Sequence, residues 1–196
     1  YGFGLDFSGY TEVDKEPKDN LQLANLCSGG TEADMMLARR LLIDYCQPGG
    51  APASSTFLML WAKVDLSLYV FSTSKPKEGR GESDEDTTFT DEYEQGNDIA
   101  IYLVTRQGQR NGVDPVDIWN RDYEPDFTDP LLKDTYDQAR AMATWNLLDP
   151  MMWSSLVLYM KDHVIQGKRV AHAPAIPFGG GYGLTAGTRG ALGPDA

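Results

Sequence analysis

Apolar and polar positions alternate most regularly between Phe57 and Phe71, FLMLWAKVDLSLYVF. The even positions Leu58, Leu60, Ala62, Val64, Leu66, Leu68 and Val70 are all apolar, while the odd ones mix Phe57, Met59, Trp61 and Tyr69 with Lys63, Asp65 and Ser67. A period of two is the mark of a strand with one face on a core. At about 3.3 Å per residue the run would span roughly 50 Å, which predicts one long bent strand or two strands joined near residues 63–65. A second strand is expected over residues 98–105, where Ile99, Ala100, Ile101, Tyr102, Leu103 and Val104 make a nearly continuous apolar run. Such a run suits an interior strand covered on both faces, paired antiparallel with the first.

Helical spacing flanks these segments. Thr31 with Asp34 three residues on reads as a capping-box variant that opens a helix. Ala38, Leu41, Leu42 and Tyr45 give that helix one apolar stripe, and Pro48, Gly49 and Gly50 end it. Asp114-Pro115 predicts a short helical turn, with Asp as cap and Pro at the first helical position. The same signal recurs at Asp129-Pro130, opening a helix to about Leu148 with Leu132, Tyr136, Ala139 and Ala143 on one face. It recurs again at Asp149-Pro150, opening a helix over residues 151–166 with Leu156, Met160 and Val164 in line, Trp153 and Val157 beside them, and Gly167 as its C-terminal cap. Two helices so closely joined are expected to pack as a hairpin.

The predicted fold class is therefore α+β: a mainly antiparallel sheet around the long alternating strand, one N-terminal helix, a C-terminal helical hairpin, and extended arms at both ends. In domain terms, residues 1–20 form an N-terminal arm and 21–167 the α+β domain, with an acidic loop at 82–98 inserted. Residues 168–196, rich in Gly, Pro and Ala, form a C-terminal arm.

Composition changes this picture in three ways. A net charge of −12 over 196 residues argues against direct nucleic-acid binding, which needs clustered Lys and Arg. No apolar run approaches the roughly 20 residues of a membrane span, since Phe57–Ala62 stops at Lys63. Two cysteines, Cys27 and Cys46, are too few for a disulfide framework and are expected as reduced thiols. The chain opens on Tyr1 rather than Met, and YGFGLDF has neither the basic nor the apolar region of a signal peptide.

The acidity is concentrated. Residues 82–98 carry eight carboxylates and no Lys or Arg, and without them the net charge would be −4. Clustered oxygens suit a hard cation, with Asp84, Asp86, Asp91 and Glu92 as the ligands it would take. An EF-hand register from Asp84 nevertheless fails, because Phe89 stands where Gly is needed and Gln95 where Glu is needed. A solvated or partner-facing loop is the expectation, with no metal and no cofactor.

Catalytic signatures are missing in the same way. The two histidines, His163 and His172, cannot build a multi-histidine metal site within one chain. Ser154 and Ser155 lack a nucleophile-elbow context, and the glycines between Gly179 and Gly183 match neither the dinucleotide fingerprint nor the P-loop. No catalytic residue is singled out, and the chain is not expected to be an enzyme; a small carboxylate-dependent enzyme remains the contrasting class.

Aromatic residues spaced among glycines are costly to leave in water yet cannot fold alone. Tyr1, Phe3, Phe7 and Tyr10 in the N-terminal arm, with Ile176, Phe178, Tyr182 and Leu184 in the C-terminal arm, are thus the expected partner-interface residues. The resulting expectation is a structural subunit that binds other protein subunits, as homo- or hetero-oligomer, in a virus or phage particle: capsid, head-tail connector or minor virion protein. The order helix, strand pair, helices and Gly/Tyr-bearing tail resembles the head-to-tail adaptors of short-tailed phages in element order alone. An accessory subunit of an organellar energy-converting complex is the alternative, in which the missing Met would reflect removal of a targeting peptide. A transient module using the acidic loop would differ from both by losing its partner at high salt.

Overall fold

The computed structural model describes residues 15–46, 50–77, 88–171, 182–184 and 192–194. Helices dominate: α1 (Asn20–Tyr45), α2 (Ala53–Ser72), α3 (Phe89–Gln95), α4 (Asp98–Asn111), α5 (Pro115–Trp119), α6 (Pro130–Leu148) and α7 (Pro150–Tyr159), the last running on as a π-helical turn over Met160–Ile165. Extended structure among the described residues is confined to two small antiparallel ribbons. β1 (Ala51–Pro52) pairs with β2 (Val170–Ala171), and β3 (Tyr182–Leu184) pairs with β4 (Leu192–Pro194). The expected α+β architecture built on an antiparallel sheet is therefore wrong: the fold is mainly helical. With the strand pair goes the element-order resemblance to phage adaptors.

Both expected strands are helices, for different reasons. In α2 the buried face runs along two interleaved lines at steps of three and four, Thr56, Leu60, Lys63, Ser67 and Val70 with Met59, Lys63, Leu66 and Val70, and Ala62 lies beside it. Three of those inward positions are polar, while Phe57, Leu58, Trp61 and Leu68 face outward. Hydrophobicity is thus spread around the helix, the 3.6-residue period disappears, and an accidental period of two remains. Each inward polar group is satisfied: Thr56 Oγ1 donates to Pro52 O at 3.2 Å, Ser67 Oγ donates to Lys63 O at 2.8 Å, and Lys63 pairs with Asp149.

α4 is the other case. Every residue from Ile99 to Thr105 is buried, and a helix covered on all sides has no polar face to betray its period. Its ends carried the signal instead. Asn97 caps the start, accepting from Ala100 N at 3.0 Å, and Gly112 closes the end in the left-handed region at φ 70°. Asn111-Gly112 therefore marks a helix terminus.

α1 starts earlier than expected, at Asn20, with Asp19 accepting from Gln22 N at 2.7 Å as cap. Thr31 is a buried mid-helix residue whose hydroxyl donates back to Ser28 O at 2.8 Å. Gly29 and Gly30 lie inside the helix, each costing about 1 kcal/mol against Ala, so packing rather than propensity holds this stretch. At 26 residues α1 is about 39 Å long and reaches both hydrophobic clusters. The larger cluster joins Leu23, Ala24 and Cys27 of α1, Leu66 and Val70 of α2, the α4 core, Ile118, and Leu132, Tyr136, Ala139, Met142 and Ala143 of α6. The smaller joins Tyr45, Ala51, Met59, Leu60, Met151 and Met152.

The Asp-Pro starts give the helices they predict: Asp114, Asp129 and Asp149 each accept from a backbone N–H two residues on, at 2.9 Å. Polar side chains then fix the elements to one another. Arg140 Nη1 donates to Phe71 O at 3.0 Å and Tyr136 Oη to Thr73 O at 3.3 Å, covering orphan carbonyls at the end of α2. Gln107, fully buried, donates to Asp126 O at 2.7 Å and accepts from Asp126 N at 3.0 Å, pinning the connector before α6.

Candidate assembly surface

The residues 88–98 of the expected acidic loop are largely structural. Thr88 and Asp91 form a reciprocal capping box for α3, with Asp91 accepting from Thr88 N at 2.9 Å and Thr88 Oγ1 at 2.6 Å. Glu92, nearly buried, accepts from Ser74 N at 2.9 and 3.0 Å and from Ser74 Oγ at 2.7 Å, tying α3 to the exit of α2. Two of the four residues a cation would take are thus engaged as helix cap and anchor; Asp84 and Asp86 lie outside the described residues. Among the described residues no group of three or more His, Cys, Asp or Glu is arranged to hold a metal ion.

A polar cluster does form where α1, α2 and α4 meet. Tyr69 and Asp98 hydrogen-bond; burial pushes the Asp98 carboxyl up, opposed by that bond and by Arg121. Burial also pushes the Tyr69 phenol up, with the Asp98 charge adding to it. The Cys27 thiol is pushed up to about 12 by burial, again with Asp98 adding and Arg121 opposing. A thiol held so far from its thiolate is no nucleophile at neutral pH. Arg121 is itself committed, donating from Nε to Tyr93 O at 2.8 Å and lying over the Tyr93 ring at 5.4 Å. This cluster joins helices. Both cysteines are free, Cys27 buried and Cys46 exposed.

The surface that stands out lies at the other end of the molecule. α7 buries Met151, Met152 and Ser155, with Leu156 and Tyr159 partly covered against the smaller cluster. Its opposite side carries Trp153, Val157, Met160 and Val164, exposed to 52, 65, 44 and 59%. Leu156, Met160 and Val164, expected in line on one face, are thus divided: Leu156 turns to the core and Met160 and Val164 face out. Trp153 Nε1 donates to Leu147 O at 2.6 Å, joining this stripe to the end of α6, where Trp145 and Leu148 are also exposed. On the α2 side, exposed Phe57 stacks on Trp61 at 6.3 Å and meets the Tyr159 ring at 6.3 Å. Tyr159 in turn contacts His163 edge-on at 5.1 Å.

Two devices hold α7 in place. Lys63 and Asp149, 6 and 4% exposed, form a buried ion pair between α2 and the residue that caps α7. At the far end the π-helical turn closes with His163 Nδ1 and Lys168 O at 2.5 Å and Lys168 Nζ and Asp162 at 3.2 Å. His163 is thus engaged with the backbone at the helix end. Tyr1, Phe3, Phe7, Tyr10, Ile176 and Phe178 lie outside the described residues. Tyr182 and Leu184 fall in β3, which pairs with β4 and runs beside α1 and α6.

No helix among the described residues is long and apolar enough to cross a membrane. Comparison with protein-family models, with curated proteins and with solved structures finds no significant match to this chain.

Proposed function

We propose that the protein is a structural subunit of a large multi-protein complex, with virus or phage particles as the favoured setting. The observation that carries this reading is the apolar surface running from α2 across α7 to the end of α6. Exposed patches on soluble monomers seldom exceed a few hundred Å². Its side chains, three tryptophans and a phenylalanine among them, are 41–65% exposed, which at roughly 150–250 Å² per aromatic and ~100 Å² per aliphatic side chain leaves about 500–750 Å² in water. Water contact over that area is unfavourable by about 25 cal/mol per Å², which association with another subunit would relieve. The aromatic and glycine-bearing terminal sequences add the particle setting.

The test is sedimentation of the protein from its native source, in buffer and in 1 M NaCl. The reading expects the chain in a fraction far heavier than one copy at both salt concentrations, because apolar contacts are not screened. Release by salt would instead support electrostatic capture by a transient module, since the screening length falls to about 3 Å at 1 M. Sedimentation as a free single chain at both would remove the assembly reading.

A further inference from the structure

The outer stripe of α7 has its own geometry. Trp153, Val157 and Met160 follow one another at steps of four and three, the repeat by which one helix seats against another, and exposed Val164 extends the stripe onto the π-helical turn. No charged side chain interrupts it. The nearest charges are basic and lie towards its C-terminal half: exposed Lys161 beside the stripe between Met160 and Val164, then exposed Lys168 and Arg169, while Asp162 is buried and paired with Lys168. Resting on the assembly reading above, we propose that the partner across this stripe is a second copy of the same chain, with the two α7 helices antiparallel about a two-fold axis.

Size, shape and charge support that partner. The stripe and its α2 and α6 flanks approach the ~800 Å² per partner of a standard stable interface. Antiparallel pairing centred between residues 158 and 159 sets Trp153 opposite Val164 of the partner subunit and Val157 opposite Met160 of the partner subunit. Each large side chain then meets a smaller one. Parallel pairing would set Trp153 on its own copy and stack the two basic ends together, an unfavourable like-charge contact. The antiparallel arrangement sends those ends to opposite sides and opposes the two helix dipoles.

Sedimentation velocity of the full chain comes first. At about 50 µM, well above the dissociation constant of a standard interface, the mass should be twice the 21.7 kDa of one chain. Val157→Glu should return the protein to monomer with an unchanged far-UV spectrum. Val164→Glu, further from the core, should do the same if Val157→Glu fails to fold. Orientation is read by oxidative cross-linking in a Cys46→Ser background, which removes the exposed native thiol. An equimolar mixture of Trp153→Cys and Val164→Cys chains should give covalent dimers that neither variant gives alone. Self-cross-linking of Trp153→Cys would overturn the antiparallel arrangement, because the two positions lie about 16 Å apart along the axis in that pairing. A monomer at all concentrations would overturn self-pairing; if the source protein still sediments in a large particle, the assembly reading survives. A monomer in both experiments removes both.

Discussion

Replacing Lys63 with Met leaves the Asp149 carboxylate at 4% exposure without its counter-charge. Breaking a buried pair by removing one member costs about 3–5 kcal/mol, mainly because the remaining charge stays desolvated. The cap of α7 survives in this variant, since Asp149 still accepts from Met151 N at 2.9 Å. Asp149→Asn should cost a similar amount for the converse reason, leaving the Lys63 ammonium buried. Asp149→Ala should cost about 1 kcal/mol more, because the cap is lost as well. The informative variant is Lys63→Met with Asp149→Asn. It is neutral, close in shape and still able to cap, so it should recover most of the loss. The pair then shows a coupling of at least ~2 kcal/mol in the double-mutant cycle. Urea unfolding followed by circular dichroism supplies the four free energies, and each kcal/mol should shift Tm by about 2–4 °C in a protein of this size. Single variants that cost under ~1 kcal/mol each, or a double variant equal to their sum, would show that the pair is solvated and does not anchor α7.

Three further expectations rest on separate features. Native protein should consume one equivalent of thiol reagent quickly at Cys46 and a second, at Cys27, only on unfolding; rapid reaction of both would contradict the buried thiol. Asp98 has a folded-state pKa above its unfolded value, so its ionisation opposes folding. Asp98→Asn should therefore gain stability over the wild type at pH 7, and the gain should vanish as pH falls through the unfolded Asp value of about 3.9; a gain growing towards acid would reverse the sign. A Cβ on Gly108 would lie 2.4 Å from Ile118 Cδ1 and 3.4 Å from Val113 Cβ. Gly108→Ala should lose about 1–3 kcal/mol to overpacking, offset by about 1 from helix propensity. In an Ile118→Val background, where that Cδ1 is gone, the same change should be neutral or stabilising, and equal effects in both backgrounds would count against the close approach of α4 and α5.

Sequence reading succeeded where a local signal fixed the element. Asp-Pro at residues 114, 129 and 149 places a cap and a helix-ready φ side by side, and α5, α6 and α7 start there. Leu132, Tyr136, Ala139 and Ala143 then fall on the buried side of α6, as their spacing requires. It failed where tertiary structure supplied the partner. Lys63 is inward because Asp149, far along the chain, meets it; without that knowledge the inward line of α2 cannot be told from its outward one. α4 is covered on every side over Ile99–Thr105, and that stretch shows no helical period.

The candidate surface was missed for a related reason. α7 is apolar nearly all round, with Leu156 and Tyr159 towards the core and Trp153, Val157 and Met160 away from it. Such a helix is ordinarily read as core, and the sequence offers no sign that Met160 and Val164 part from Leu156.

That second face is the centre of the account, and oxidative footprinting reads it side chain by side chain. Hydroxyl radicals should modify Trp153, Met160 and Trp61 readily in the isolated chain diluted well below its association range. In the native assembly the same residues should be protected several-fold, while exposed Met36 on α1 serves as a reference. Equal modification of Trp153 and Met160 in both states would mean that the outer side of α7 stays in water, and would contradict its role as a subunit interface.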